Sequence, residues 1–158
     1  MPPKFSLQSV LDYRHSRVER LEIELGNLQK EEMECRKLLE RLLFNQSQLD
    51  DRLSECLKGE VDLVNVRHLQ SELRTVSNRI KTQRKLLQSL ENQVNAKRNE
   101  LIKAKQDEET LELLKEKELE QFLALEARKE MRLQDDIYNA KAHRNLKERH
   151  NERNDSIK

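Results

Sequence analysis

The chain has little of what compact domains are built from. Its 158 residues include two glycines, two prolines, two cysteines and no tryptophan, and its hydrophobic fraction is 35%. Globular domains are closer to half apolar, so this composition does not provide for an ordinary core. Few apolar residues are enough only when a narrow stripe has to be covered, as between two long helices.

The same scarcity argues against several kinds of functional site. No glycine-rich loop is present to hold a nucleotide phosphate, and the cysteines and the four histidines lack the spacing of metal ligands. Asp135 and Asp136 are neighbouring carboxylates, but they lie in a predicted exposed helix without a cleft around them. We therefore predict a protein that is not an enzyme and that holds neither a metal ion nor a cofactor.

Long apolar runs are also absent. Met1-Pro2-Pro3-Lys4 is not followed by the apolar stretch of a signal peptide, and no segment approaches the length of a membrane-spanning helix. These absences predict a cytoplasmic protein without a membrane span.

What the chain does have is charge, at 39% of residues, and a regular apolar repeat. Apolar residues recur at alternating steps of three and four, the 3.5-residue period of a coiled coil. With Val18 at heptad position a, twelve of the first fifteen a and d positions are apolar. The a positions are Leu11, Val18, Leu25, Glu32, Leu39, Gln46 and Leu53, and the d positions are Leu7, Arg14, Leu21, Leu28, Cys35, Leu42, Leu49 and Cys56.

A second seam follows a single break. Gly59 is expected to end the first helix near Lys58, and Asp62 is expected to act as the N-cap of the next one. The second seam comprises Leu69, Leu73, Val76, Ile80, Gln83, Leu87, Leu90, Val94, Lys97, Leu101 and Ala104. Nine of these eleven positions are apolar, so the pattern predicts a second long helix.

Two seams joined by one break predict an all-α fold, an antiparallel coiled-coil hairpin whose second helix overhangs the first. Facing residues should then have numbers that add to about 125. We assign residues 1–122 to the hairpin, with its turn near 59–66, and residues 123–158 to an overhanging helical tail that frays at its end.

Charge is distributed unevenly along this hairpin. Residues 67–105 hold ten basic and three acidic residues, whereas residues 106–126 hold two basic and eight acidic ones. A basic stripe of this kind is typical either of a solvated helix face or of a nucleic-acid contact, and we favour the solvated face.

Some apolar residues fall outside the seams and are candidates for partner contacts. One group, in the half of the hairpin nearest the turn, is Leu38, Leu43, Phe44 and Leu86. Ile137 and Tyr138 are further examples in the tail. Isolated surface apolar residues are common, so ordinary exposure is an equal alternative.

The two ends of the chain resemble the FliJ family, coiled-coil components of flagellar type III export. The opening segment Phe5-Ser6-Leu7-Gln8-Ser9-Val10-Leu11-Asp12-Tyr13-Arg14 is similar to the start of that family. The run from Arg128 to Asp136 is similar to its C-terminal signature, with Met131 in place of Gln and Asp136 in place of Glu.

This resemblance implies a stalk like the gamma subunit of a rotary ATPase, which binds a hexameric export ATPase at its terminal end and a membrane export gate near its turn. It also implies export chaperones as further partners and a peripheral position at a membrane export apparatus. Carried over, the ATPase-binding residues are Phe5, Leu7, Leu11, Arg14, Arg128, Arg132, Asp135 and Asp136. The gate-binding residues are Leu42, Phe44, Leu49, Leu69 and Leu73, although Asn45 and Leu49 depart from the aromatic residues that the family often has there.

Two other functions fit the residues alone. One is a structural scaffold that forms homodimers through Leu43, Phe44 and Leu86. The other is a basic helical arm that binds RNA through Arg74, Arg79, Arg84 and Arg98, and such binding would weaken steeply with added salt.

Overall fold

The computed structural model describes residues 1–157 and contains two long α-helices. Helix α1 is Gln8–Cys56, and helix α2 is Leu63–Asp155. No strand occurs within the described residues. The predicted all-α architecture of two long helices that pack against each other is therefore confirmed. The described residues form two units, one of residues 12–108 and the other of residues 1–11 with 109–157.

The turn between the helices has the local chemistry that the sequence indicated. Gly59 has a φ of +82°, in the left-handed region where a side chain is disfavoured, and it follows the last turn of α1. The Asp62 carboxylate accepts a hydrogen bond of 3.0 Å from the Val64 amide, so it caps the free N–H groups at the start of α2. Helix α2 thus begins at Leu63, inside the range predicted for the turn.

The apolar core of residues 12–108 lies along the predicted seams. One cluster consists of the buried residues Leu49, Leu69, Val76 and Ile80, with Leu39, Leu42, Leu53, Cys56 and Leu73 packed against it. A second cluster consists of Val18, Leu21 and Ala104, with Leu101 packed against it. Residues from both helices contribute to each cluster, so burial of the two stripes against each other stabilises the antiparallel pairing.

Two buried residues lie beyond the seam positions assigned from the sequence. Val66 precedes Leu69 by three residues, and Leu111 follows Ala104 by seven. Both continue the same repeat. The seam therefore extends further toward the turn and further along α2 than the sequence assignment.

The two polar residues of the second seam, Gln83 and Lys97, are paired across the two helices. The Gln83 amide donates hydrogen bonds to the Cys35 carbonyl oxygen at 3.1 Å and to Cys35 Sγ at 3.0 Å. Lys97 Nζ lies 2.9 Å from Glu24 Oε2, and this hydrogen bond raises the pKa of Lys97. Within the described residues no buried side-chain N or O atom lacks a hydrogen-bond partner. A shifted pairing would leave these groups without their partners, so they favour one register.

In the unit formed by the two ends of the chain, the N-terminal segment packs against α2. Leu11 and Leu111 are buried there, and Lys115 Nζ lies 2.9 Å from Gln8 Oε1. After Leu111, every described residue of α2 is exposed except Phe122 and Glu126, which are partly buried.

Candidate partner-binding surfaces

The N-terminal residues assigned to the ATPase contact belong partly to the packing of the chain itself. Phe5 is half-buried and lies with Pro2 and Pro3 beside Lys115 and Leu119, around a cavity of about 230 Å³. Leu7 is exposed, whereas Leu11 is buried. Phe5 and Leu7 therefore present some surface to a partner, while Leu11 supports the helix below them.

The C-terminal residues assigned to the ATPase contact are all on the surface. Arg128, Arg132, Asp135 and Asp136 are exposed, and none of these four side chains takes part in a hydrogen bond or ion pair within residues 1–157. The two arginines are four residues apart, so they lie on one face of α2. These charges are free to pair with a partner.

Arg14, the remaining residue of that set, is held within the unit of residues 12–108. Its guanidinium donates a hydrogen bond of 2.8 Å to the Asp107 carbonyl oxygen. Beside it, His15 Nδ1 lies 2.6 Å from Glu108 Oε1, and His15 Nε2 lies 3.2 Å from Glu19 Oε1. The hydrogen bond to Glu108, the charge of Glu108 and that of Glu19 raise the pKa of His15. Cross-helix partners such as these depend on the pairing register, so the heptad pattern did not predict them.

The residues assigned to the gate contact divide into core and surface. Leu49 and Leu69 are buried, and Leu42 and Leu73 pack against the same cluster. Phe44 is the exception, with 66% of its surface exposed. Of the five residues, Phe44 is thus the one that offers a large apolar surface to a partner while the hairpin stays closed.

The other apolar residues that the sequence placed outside the seams are exposed as well: Leu38, Leu43, Leu86, Ile137 and Tyr138. Leu38 also belongs to a groove of about 500 Å³ that the sequence analysis did not anticipate. The groove is lined by Leu38, Leu42, Thr75, Asn78, Arg79, Thr82 and Gln83. The sequence contained two separate indications of this groove: an apolar residue beside the first seam, Leu38, and a basic stretch in α2.

Residues 1–157 contain neither a metal-binding cluster nor a membrane-spanning helix. These residues include no group of three or more His, Cys, Asp or Glu side chains placed to hold a metal ion. Neither described helix combines the length and the apolar character needed to cross a bilayer.

Comparison with known proteins places the chain in a family. Residues 3–152 match the family model described as "Flagellar FliJ protein". No curated protein and no solved structure matches the chain. The match covers nearly the whole sequence, including α1, the turn, nearly all of α2 and the two terminal segments that resemble this family. The chain therefore belongs to the FliJ family.

Proposed function

We propose that this protein is a non-catalytic stalk of a flagellar-type export apparatus and couples a hexameric ATPase to a membrane export gate. Membership of the FliJ family supports a role in flagellar protein export. The coupling is our inference, and the observation that carries it is the family match over residues 3–152 of a paired-helix chain. Such a chain offers contacts at its ends and near its turn.

The proposed ATPase contact combines the exposed charges of α2 with the N-terminal segment. Arg128 and Arg132 would pair with carboxylates of the ring, and Asp135 and Asp136 with its basic residues. All four side chains are exposed and form no ion pair within the described residues, so no internal interaction has to be broken for them to bind. Phe5 and Leu7 would add apolar contact, whereas Leu11 and Arg14 would hold the underlying helices in place.

The proposed gate contact is centred on Phe44. An exposed aromatic ring has a large apolar area and is a common anchor in protein interfaces. Leu42, Leu49, Leu69 and Leu73 would act indirectly, because they pack the helices that carry Phe44. The same division of roles predicts that substitutions in these four residues impair gate binding mainly by destabilising the hairpin.

Co-purification with the cognate ring ATPase tests the ATPase contact. The double change Arg128→Glu and Arg132→Glu should abolish assembly, as should removal of residues 123–158. The matched control is Arg149→Glu with Arg153→Glu, which reverses two exposed arginines at the same spacing. Equal binding by the two double variants would contradict the assignment of residues 128–136 to the ATPase.

Binding to the cytoplasmic part of the gate protein tests Phe44 separately. Phe44→Ser should weaken this binding and leave ATPase binding unchanged. Ile23→Ser is the control, because Ile23 is also an apolar residue of α1 with 66% of its surface exposed. Loss of gate binding in both variants, or in neither, would remove Phe44 from the proposed contact.

A further inference from the structure

The groove beside Leu38 has an apolar floor and a polar rim. Leu38 and Leu42 of α1 form one side, and Thr75 and Thr82 of α2 contribute to the other. Both threonine hydroxyls bond to backbone oxygens four residues earlier, at 3.1 Å. Both hydroxyls therefore already have acceptors, so the charged guanidinium of Arg79 is the main hydrogen-bond donor left for an occupant of the groove. Leu86 is four residues after Thr82, on the same face of α2, and half of its surface is exposed.

The stretch of α2 that lines the groove is strongly basic. Between Glu72 and Glu91 there is no acidic residue, whereas the same interval holds Arg74, Arg79, Lys81, Arg84 and Lys85. All five are exposed, and none forms an ion pair or hydrogen bond through its side chain within the described residues. The groove therefore fits an occupant that is both apolar and negatively charged.

One segment of this chain is both apolar and negatively charged. Residues 109–126 of α2 hold six acidic and two basic residues. Glu112, Glu116 and Glu120 follow one another at four-residue steps, and Leu119 and Leu123 have the same spacing on an adjoining stripe. All five are exposed. This helix face thus combines negative charge with apolar surface, and both complement the basic and apolar surfaces at the groove.

We propose that the groove of one copy binds residues 109–126 of a second copy of this chain. Leu119 and Leu123 pack on Leu38, Leu42 and Leu86, and the glutamates pair with Arg79 and Lys85. The added helix covers the exposed apolar residues beside the hairpin, as in a three-helix bundle. This inference concerns self-association and does not rest on the proposed stalk function.

Charge reversal and its compensation test the proposal on the full-length chain. Sedimentation velocity should show concentration-dependent self-association that weakens with added salt, since exposed charges are screened. Arg79→Glu with Lys85→Glu should weaken it by about tenfold or more, as should Glu116→Lys with Glu120→Lys. Mixing these two variants should restore association, because each then meets a complementary surface.

Two controls keep the interpretation specific. Lys141→Glu with Lys147→Glu reverses two exposed lysines at the spacing of Arg79 and Lys85, and it should leave self-association unchanged. Far-UV circular dichroism should show equal helicity for all variants.

Three results would overturn the proposal. The first is a wild-type chain that stays monomeric at the highest soluble concentration. The second is self-association that the groove variants do not weaken or that mixing does not restore. The third is a chain that stays monomeric while the groove variants lose affinity for a single-stranded RNA oligonucleotide, which would assign the basic stretch to nucleic acid.

Discussion

Replacing Leu49 by alanine should destabilise the hairpin far more than replacing Phe44 by serine, although the two residues are only five positions apart in α1. Leu49 is 4% exposed and belongs to the larger core cluster, whereas Phe44 is 66% exposed. The two changes therefore separate the role of a seam residue from that of a surface residue within one helix.

The size of the Leu49→Ala effect follows from the groups that are removed. The change deletes about three methylene-sized groups, each worth about 0.8 kcal/mol on burial, or about 2.4 kcal/mol together. A cavity adds to this cost, but a two-helix seam is bounded by solvent and relaxes more easily than a deep core. We expect about 2–3 kcal/mol, toward the lower end of the range for such substitutions. Phe44→Ser removes a ring that is already mostly in water, so its effect should stay within about 1 kcal/mol.

Urea denaturation followed by far-UV circular dichroism measures both changes. The midpoint should fall clearly for Leu49→Ala and little for Phe44→Ser, and the slope should be the same as in the wild type. Two outcomes would refute the reasoning. A loss of less than about 1 kcal/mol for Leu49→Ala would mean that the seam does not hold the helices together. An equal loss of stability for Phe44→Ser would mean that the Phe44 side chain is packed against the hairpin and is not available for the proposed gate contact.

Three further measurements follow from the paired helices. After removal of Cys56, Gln83→Cys should form a disulfide with the native Cys35 within one chain, because Gln83 Nε2 lies 3.0 Å from Cys35 Sγ across the two helices; crosslinks only between chains would contradict the hairpin. His15→Gln should lower the free energy of unfolding at pH values below the usual histidine pKa, because protonated His15 is stabilised by its carboxylate partners. The difference from the wild type should vanish as the pH rises through the raised pKa of His15. A difference in urea midpoints that does not depend on pH would refute this. In hydrogen exchange, residues 69–104 should be protected most and residues 140–157 least, and uniform protection would indicate that the tail is covered by another chain.

The helices and the turn could be predicted from the sequence because their causes are local. The apolar repeat is set by residues three and four apart, so Val18, Leu21 and Leu49 could be assigned to a seam without knowledge of the partner helix. The end of α1 depends on the left-handed conformation that Gly59 adopts, and the start of α2 depends on a cap by Asp62 two residues away. The charged segments could likewise be identified by counting acidic and basic residues along the sequence.

Features that join distant residues were decided only by the tertiary structure. The bonds between Gln83 and Cys35 and between His15 and Glu108 require a particular register of two helices, and an apolar repeat alone allows several. The repeat did place Phe44 outside the seam and Leu49 within it, in agreement with their exposure, whereas the resemblance to the family grouped both as gate residues. Their burial in the folded chain shows which residue of that group keeps a large exposed surface. The groove at Leu38 needs both helices at once, since an α1 leucine lies beside the basic face of α2 only after the chain has folded back on itself.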